Sequence, residues 1–229
     1  SAKVLSDFIT AQELIFYRYF ITTITLIPIF FYLKKSFKID KRHLLLSLIS
    51  SIFLVLYSIY FFDGTKYGTA SLGGAFVTTL TPILTFVLLV LFFKKPFEKK
   101  DFFAVILGAF GVMLILNIFT FEMKDILVIS NLYFIFASLF WSALTINNSK
   151  SQIDPLLLTF YIYIFTTIIG YFITPFESGN IFEFNGIFWL NFIIISILST
   201  TFATSIYFIG IKKIGTNEAS AFIFLVPFA

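Results

Sequence analysis

The sequence predicts an all-α, polytopic integral membrane bundle built as two inverted five-helix repeats, and three observations carry that prediction. The first is composition. The 229 residues are 59% hydrophobic and 12% charged, with a mean hydropathy of +0.99, whereas soluble domains run near roughly 45–50% apolar and about 25% charged. The second is a series of apolar runs, each close to the roughly 20 residues that cross a hydrocarbon core of about 30 Å. The third is an internal echo of opposite topology, described below. The 35 Phe and 11 Tyr raise aromatics to 21%, which suits long apolar segments with amphipathic rings near the headgroups. Soluble all-α and α/β classes are excluded. With no Cys, disulfide frameworks, thiolate metal sites and cysteine nucleophiles drop out together, and the redox compartment is unreadable. A net charge of +4 would suit a nucleic-acid partner only if Lys and Arg covered one exposed face. Here they sit between apolar runs, so they report membrane topology and no nucleic acid is expected.

In chain order, Ser1–Gln12 reads as a polar connector. Spans follow at Glu13–Leu33, Leu44–Phe62, Gly68–Phe93, Phe102–Phe119, Ile126–Ile146, Pro155–Thr174 and Gly186–Ile211. Pro155 after Asp154 suits a helix start, where a missing N–H costs nothing. Gly68-Thr69 and Gly215-Thr216 each read as a turn followed by an N-cap hydroxyl. A last apolar run from Thr216 to Ala229 holds about 14 residues, or roughly 21 Å of helix, too short to span unaided. About eight spans are therefore expected here from a ten-span parent lacking its first and last helices.

Basic residues fall on alternate connections: Lys34, Lys35, Lys38, Lys41 and Arg42; then Lys94, Lys95, Lys99 and Lys100; then Lys150; then Lys212 and Lys213. The intervening side holds only Lys3, Lys66 and Lys124. Cytoplasmic loops accumulate Lys and Arg, so the Lys-rich loops are expected in the cytoplasm. His43, inside Lys41-Arg42-His43, reads as a solvated loop residue with no carboxylate or second His to orient it for catalysis.

Sliding the chain on itself by about 147 residues lays Tyr60-Phe61, Lys66, Gly68 and Thr69 on Tyr207-Phe208, Lys213, Gly215 and Thr216. The same shift pairs Lys3 and Asp7 with Lys150 and Asp154, and a small slip brings Pro82 to Pro227. The period encloses five spans, an odd number, so the two copies run oppositely through the membrane. The halves are expected at residues 1–122 and 123–229. Inverted repeats of this kind place a binding site near the midplane, between halves that rock.

The chain resembles the EamA-type members of the drug/metabolite transporter superfamily over its whole length. The resemblance rests on Arg18 in the first span, Lys66-Tyr67-Gly68-Thr69-Ala70, Leu80-Thr81-Pro82 and Gly108-Ala109-Phe110-Gly111-Val112, echoed by Trp141-Ser142-Ala143 and Leu225-Val226-Pro227. It implies two five-helix repeats and a carrier of amino acids or related metabolites, with export common. One departure stands out: where the family often has a glutamate after the proline-bearing helix, this chain has Lys94-Lys95-Pro96, so that glutamate's role does not carry over.

An ionisable group at mid-bilayer costs roughly 2.5–3.5 kcal/mol on insertion scales and is usually functional. Arg18 alone qualifies; it ties helices together, the weightier reading, or contacts an anionic substrate group. Glu13 and Glu218 sit at helix ends, where acid suits the N-terminal dipole. Uncharged polar residues form stripes at helical spacing: Ser196, Thr200, Thr204 and Tyr207 on one span; Ser50, Phe53, Tyr57 and Tyr60 on its repeat mate; Ser71, Ala75, Thr78 and Pro82 on a third. Trp141, Ser142, Thr145 and Asn147 mark a fourth. One by one, such residues read as close-packing and hydrogen-bonding positions; as a set facing one space they read as a pocket. The substrate cavity is accordingly expected to involve Tyr57, Tyr60, Thr78, Trp141, Ser142, Thr200, Thr204 and Tyr207. Pro82 and Pro227 are the expected kinks. The Gly73-Gly74 and Gly108/Gly111 groups read as close helix contacts.

The expected activity is secondary transport of a small molecule across the cytoplasmic membrane by alternating access, with no cofactor and no metal. Uniport or exchange is favoured, because no buried carboxylate stands in these spans to carry a proton. A non-transporting sensor or assembly protein of the same fold is the alternative. A membrane enzyme would need a nucleophile, base or metal cluster, which one His, no Cys and no carboxylate pair do not provide. The partners are the substrate and the lipid bilayer; a homodimer stays open, since apolar surface facing lipid looks like apolar surface facing a partner.

Overall fold

A computed structural model describes residues 2–68, 70–93, 99–115 and 129–228, and every described element is helical. The long helices are α1 (Ala11–Tyr32), α2 (Lys41–Tyr67), α3 (Ala70–Phe93), α4 (Lys99–Ile115), α5 (Ile129–Ser149), α6 (Pro155–Ile173) and α7 (Gly186–Ile214). The short α8 (Thr216–Ala221) runs into a 3₁₀ turn, Phe222–Phe228. Helices α1, α2, α6 and α7 are each long and apolar enough to cross a membrane. Each expected span is a helix, although the distal end of the fourth and the start of the fifth fall outside the described residues. Thr69, Lys94-Lys95-Pro96 and Glu98 also lie outside them, as do the side chains of Ser71, Ala75 and Pro227.

The helix ends carry much of the local logic. At α1, Thr10 Oγ1 accepts from Glu13 N at 3.2 Å while the Glu13 carboxylate accepts from Thr10 N at 2.9 Å, a reciprocal capping box. Glu13 also accepts from Ser178 N at 2.8 Å and from the Ser178 hydroxyl, which pins the α6–α7 connection to α1. The segment before Thr10 departs from the expected polar connector. It opens with a helical turn, Ala2–Leu5, and Leu5 and Ile9 are buried in the core, since these two apolar side chains gain more from packing than the segment's polar residues lose.

Asp40 caps α2 and corrects the reading of His43. Its carboxylate accepts from His43 N at 3.3 Å and from His43 Nδ1, while Nε2 accepts from Gln152 N at 3.3 Å. A carboxylate three residues upstream does orient the ring; the arrangement ties the start of α2 to the α5–α6 connection. The second turn is corrected too. Gly215, at φ +100°, is itself the residue before α8, and Thr216 stands inside the helix without capping it.

At α6 the expectation holds: Asp154 accepts from Leu156 N at 2.9 Å and Leu157 N at 3.3 Å, ahead of Pro155. The Lys35 ammonium reaches the same carboxylate. Burial pushes this acid up, but the Lys35 contact and the two backbone donors outweigh it and hold Asp154 below its ordinary value. A carboxylate depressed in the folded state stabilises above its unfolded value and loses that contribution as pH falls through the lower, folded one. The stability gap between the parent and Asp154→Asn is therefore expected to be full near neutral pH and to close as pH drops below 3.8. Thermal unfolding across that range checks it, and a gap constant with pH would refute the assignment.

The bundle is apolar outside, and inside it mixes an apolar core with buried hydroxyl side chains. Phe20, Ile24, Ile27 and Phe31 form an exposed stripe along α1, and Phe103, Leu107, Phe110 and Leu114 form another along α4. Thr22, Ser47, Ser50, Ser138, Thr159 and Thr166 are buried. Apolar surface of this extent suits lipid. Inside, Ser47, Ser138, Thr159 and Thr166 donate to the carbonyls four residues back in their own helices, while Thr22 and Ser50 bond across to Ser196 O and Asn148 Oδ1 on neighbouring helices. Helix α1 packs on α6, where Tyr19 and Tyr163 meet at 5.4 Å between ring centroids. At Gly170 of α6 an added Cβ would stand 3.2 Å from the Phe16 backbone, so the glycine sets the approach of the two helices. Helix α1 also contacts α7, and α2 contacts α6 as well as α5. Ser50 and Asn147 close the α2–α5 seam at 2.8 Å.

The glycine pairs divide. An added Cβ at Gly73 would stand 2.3 Å from the Phe134 ring and one at Gly108 2.4 Å from Phe224, whereas Gly74 and Gly111 face open space. Gly64, which the sequence reading passed over, also cradles Phe134, at 2.6 Å.

Helix α7 is continuous but not uniform. Residues Gly186–Ile193 and Ser205–Ile214 are α-helical, and the 11 residues Ile194–Thr204 between them form a π-helix. In it Thr200, Thr201 and Thr204 donate their hydroxyls to the carbonyls five residues back, at 2.7, 3.1 and 3.0 Å.

Candidate functional site

Helices α1, α2, α3, α5 and α7 and the 3₁₀ turn enclose a cavity of about 380 Å³. Its wall takes Arg18 and Tyr19 from α1, then Leu54, Tyr57 and Phe61 from α2. Gly74, Val77, Thr78 and Thr81 come from α3, Trp141 from α5, Ser199, Ala203, Thr204 and Tyr207 from α7, and Ile223 from the turn. Spacings of three and four on α2 and α3 are those of a single helical face.

Trp141 is the hinge of an aromatic wall. Its ring lies 4.7 Å from Tyr57 and 5.7 Å from Tyr207, so rings from α2, α5 and α7 meet there. The Tyr207 hydroxyl is 3.1 Å from Thr145 Oγ1 on α5, which fixes the ring that faces the cavity. Ser142 lies behind this wall: its hydroxyl donates to Thr81 O at 3.0 Å and Ser138 O at 2.8 Å, tying α5 to α3 beside Pro82. Pro82 itself is buried within α3, which runs on through it.

Arg18 sits about a third of the way along α1. Its Nε donates to Thr200 Oγ1, and its guanidinium carbon stands 5.3 Å from the Tyr19 ring centroid and 5.7 Å from that of Phe62. Such cation–π contacts contribute about 0.5–2 kcal/mol each and partly offset the cost of burying the charge. The same region locks α1 to the π segment, because Thr22 Oγ1 donates to Ser196 O at 3.1 Å and the Tyr163 hydroxyl donates to Thr200 O at 3.0 Å.

The structure thus brings Arg18, Tyr57, Thr78, Trp141, Thr204 and Tyr207 around one cavity and places three other expected residues elsewhere. Thr200 is turned to Arg18 and off the wall. Tyr60 faces away and packs on Phe136 and Phe140 of α5, at 5.3 and 5.6 Å. Ser142 serves the α3–α5 contact. The sequence reading missed Tyr19, Leu54, Phe61, Thr81 and Ser199; following hydroxyls alone concealed the apolar members of the α2 face. Thr81, immediately before Pro82, carried a signal in that proline. Pro227 belongs to the 3₁₀ turn that closes one side. Among the described residues no three His, Cys, Asp or Glu side chains are grouped to hold a metal ion.

A bundle of apolar-surfaced helices around a polar-flecked interior cavity defines a polytopic membrane protein. The chain matches the EamA-like transporter family over residues 1–117 and 128–229. It belongs to that family and so to the drug/metabolite transporter superfamily, whose members are transporters rather than enzymes. No curated protein matches the chain.

Proposed function

We propose that this protein carries a small metabolite across the cytoplasmic membrane by alternating access, with the cavity as its binding site. The observation that supports this reading is the convergence of aromatic and hydroxyl side chains from α2, α3, α5 and α7 on one space of substrate size, within the range of about 300–1,000 Å³ typical of ligand pockets. Two inverted halves, residues 1–122 and 123–229, rock about this space. The crossed contacts of α1 with α7 and of α2 with α6 support that pairing, because α1 and α6, and α2 and α7, are repeat mates. Amino acids and related compounds are the proposed solutes and export the proposed direction, with the Lys-rich connections in the cytoplasm.

Counterflow in proteoliposomes tests this. Vesicles preloaded in turn with pooled amino acids, nucleosides and cationic drugs are expected to show saturable exchange of one pool. Absence of exchange from all pools by correctly folded protein would overturn the carrier reading.

A further inference from the structure

Among the described residues, the cavity wall carries one charged side chain, and no other described residue neutralises it. Arg18, 8% exposed, lines the space with its guanidinium. Its Nε is committed to Thr200, and neither terminal amino group donates to a described residue. Among the described residues no Asp or Glu lines the wall, and the ion pairs among them, Lys35 with Asp154 and His43 with Asp40, lie at helix ends elsewhere. The Tyr19 and Phe62 rings attract the guanidinium without neutralising it. A second observation points the same way. The Thr81 hydroxyl, on a fully buried lining residue, has no hydrogen-bond partner among the described residues. The Tyr57 hydroxyl, on the same wall, also makes no hydrogen bond to a described residue.

Resting on the carrier reading above, we propose that the cavity binds a small organic monoanion, a carboxylate carried on an apolar body. The carboxylate sits on the free amino groups of Arg18, and the body lies against Leu54, Val77 and Trp141. A planar guanidinium fork matches a carboxylate in geometry as well as charge. One guanidinium balances one negative charge; a dianion would leave a second charge uncompensated where desolvation is most costly. A cation would meet Arg18 as a like charge, and a neutral solute would leave the guanidinium as uncompensated as before. The α-ammonium of an amino acid is tolerated in this scheme and not required.

The test uses four probes that share one ring and differ in their charged ends: phenylacetate, phenylalanine, phenethylamine and 2-phenylethanol. The chain has two tryptophans, and Trp189 lies off the cavity, so Trp189→Phe leaves Trp141 as a reporter of binding that is independent of transport. Phenylacetate is expected to quench Trp141 saturably and to exchange across proteoliposomes, with phenethylamine and 2-phenylethanol inactive. Arg18→Lys is expected to weaken phenylacetate binding roughly 10- to 100-fold, the loss expected for a charged hydrogen-bonded pair. Tyr57→Phe and Thr81→Val remove hydroxyls that hold no partner, so the fold is kept while affinity drops several-fold; they decide the matter if the Arg18 variant does not fold. Preference for phenethylamine, or activity with phenylalanine but not phenylacetate, overturns the proposal and leaves the carrier reading standing. Saturable phenylacetate binding without exchange of any probe upholds the anion site and overturns the carrier reading. No binding and no exchange overturns both.

Discussion

Gly74→Leu is expected to reduce exchange to background while leaving the protein folded. The position lines the cavity, and an added Cβ there meets nothing within 4 Å, so a larger side chain can leave the backbone unhindered and extend into the cavity. Replacing a mid-helix glycine also removes a backbone-entropy cost of roughly 0.5–1 kcal/mol, so the melting temperature should hold or rise slightly. Counterflow and thermal unfolding on the same preparation separate the two effects. Normal exchange by folded Gly74→Leu would show that the solute does not pass through this cavity.

One residue earlier the expectation reverses. Gly73→Ala places a methyl group 2.3 Å from the Phe134 ring. That ring is fully buried and already wedged against Gly64, where an added Cβ would stand 2.6 Å away. It has no free direction in which to yield. Overpacking of this kind costs roughly 1–3 kcal/mol, and the loss should appear as a lower melting temperature and lower yield of folded protein. Phe134→Ala in the same chain would relieve the clash, so the double variant should lose less than the two single losses combined. Strict additivity would mean that α3 and α5 do not meet as described.

The contrast between these adjacent glycines shows which parts of the molecule the sequence made legible. Length and apolarity located each span, because the bilayer imposes one ruler on every helix. The boundaries followed where a cap residue stood in view, as at Asp154, and failed where burial overruled composition, as at Leu5 and Ile9. Whether Gly73 or Gly74 met a neighbour was not readable, since that depends on the rotation of α3 relative to Phe134. On the cavity wall, Tyr57, Thr78 and Trp141 were legible because α2, α3 and α5 keep the α-helical spacing that the stripes assume. Tyr60 was misplaced by choosing the face from hydroxyls; the real face steps through Leu54, Tyr57 and Phe61. Thr200 was misplaced for a different reason. An α-helix turns about 100° per residue, and a coil bonded five residues back turns roughly 80–85°, so a stripe projected with the first angle drifts off the face within a few residues.

That drift makes the middle of α7 a phase-setting element. Residues Ile194–Thr204 accumulate the lag, and every side chain after them, Tyr207 included, is aimed by the total. The hydroxyls of Thr200, Thr201 and Thr204 grip carbonyls at the wide-coil spacing, so the segment's own side chains brace its pitch. The aim of the aromatic wall is thus written in a residue count as much as in residue types. A conservative exchange at Tyr207 changes one contact, whereas gaining or losing one residue upstream re-indexes the whole arm that follows, as a slipped tooth does in a gear train.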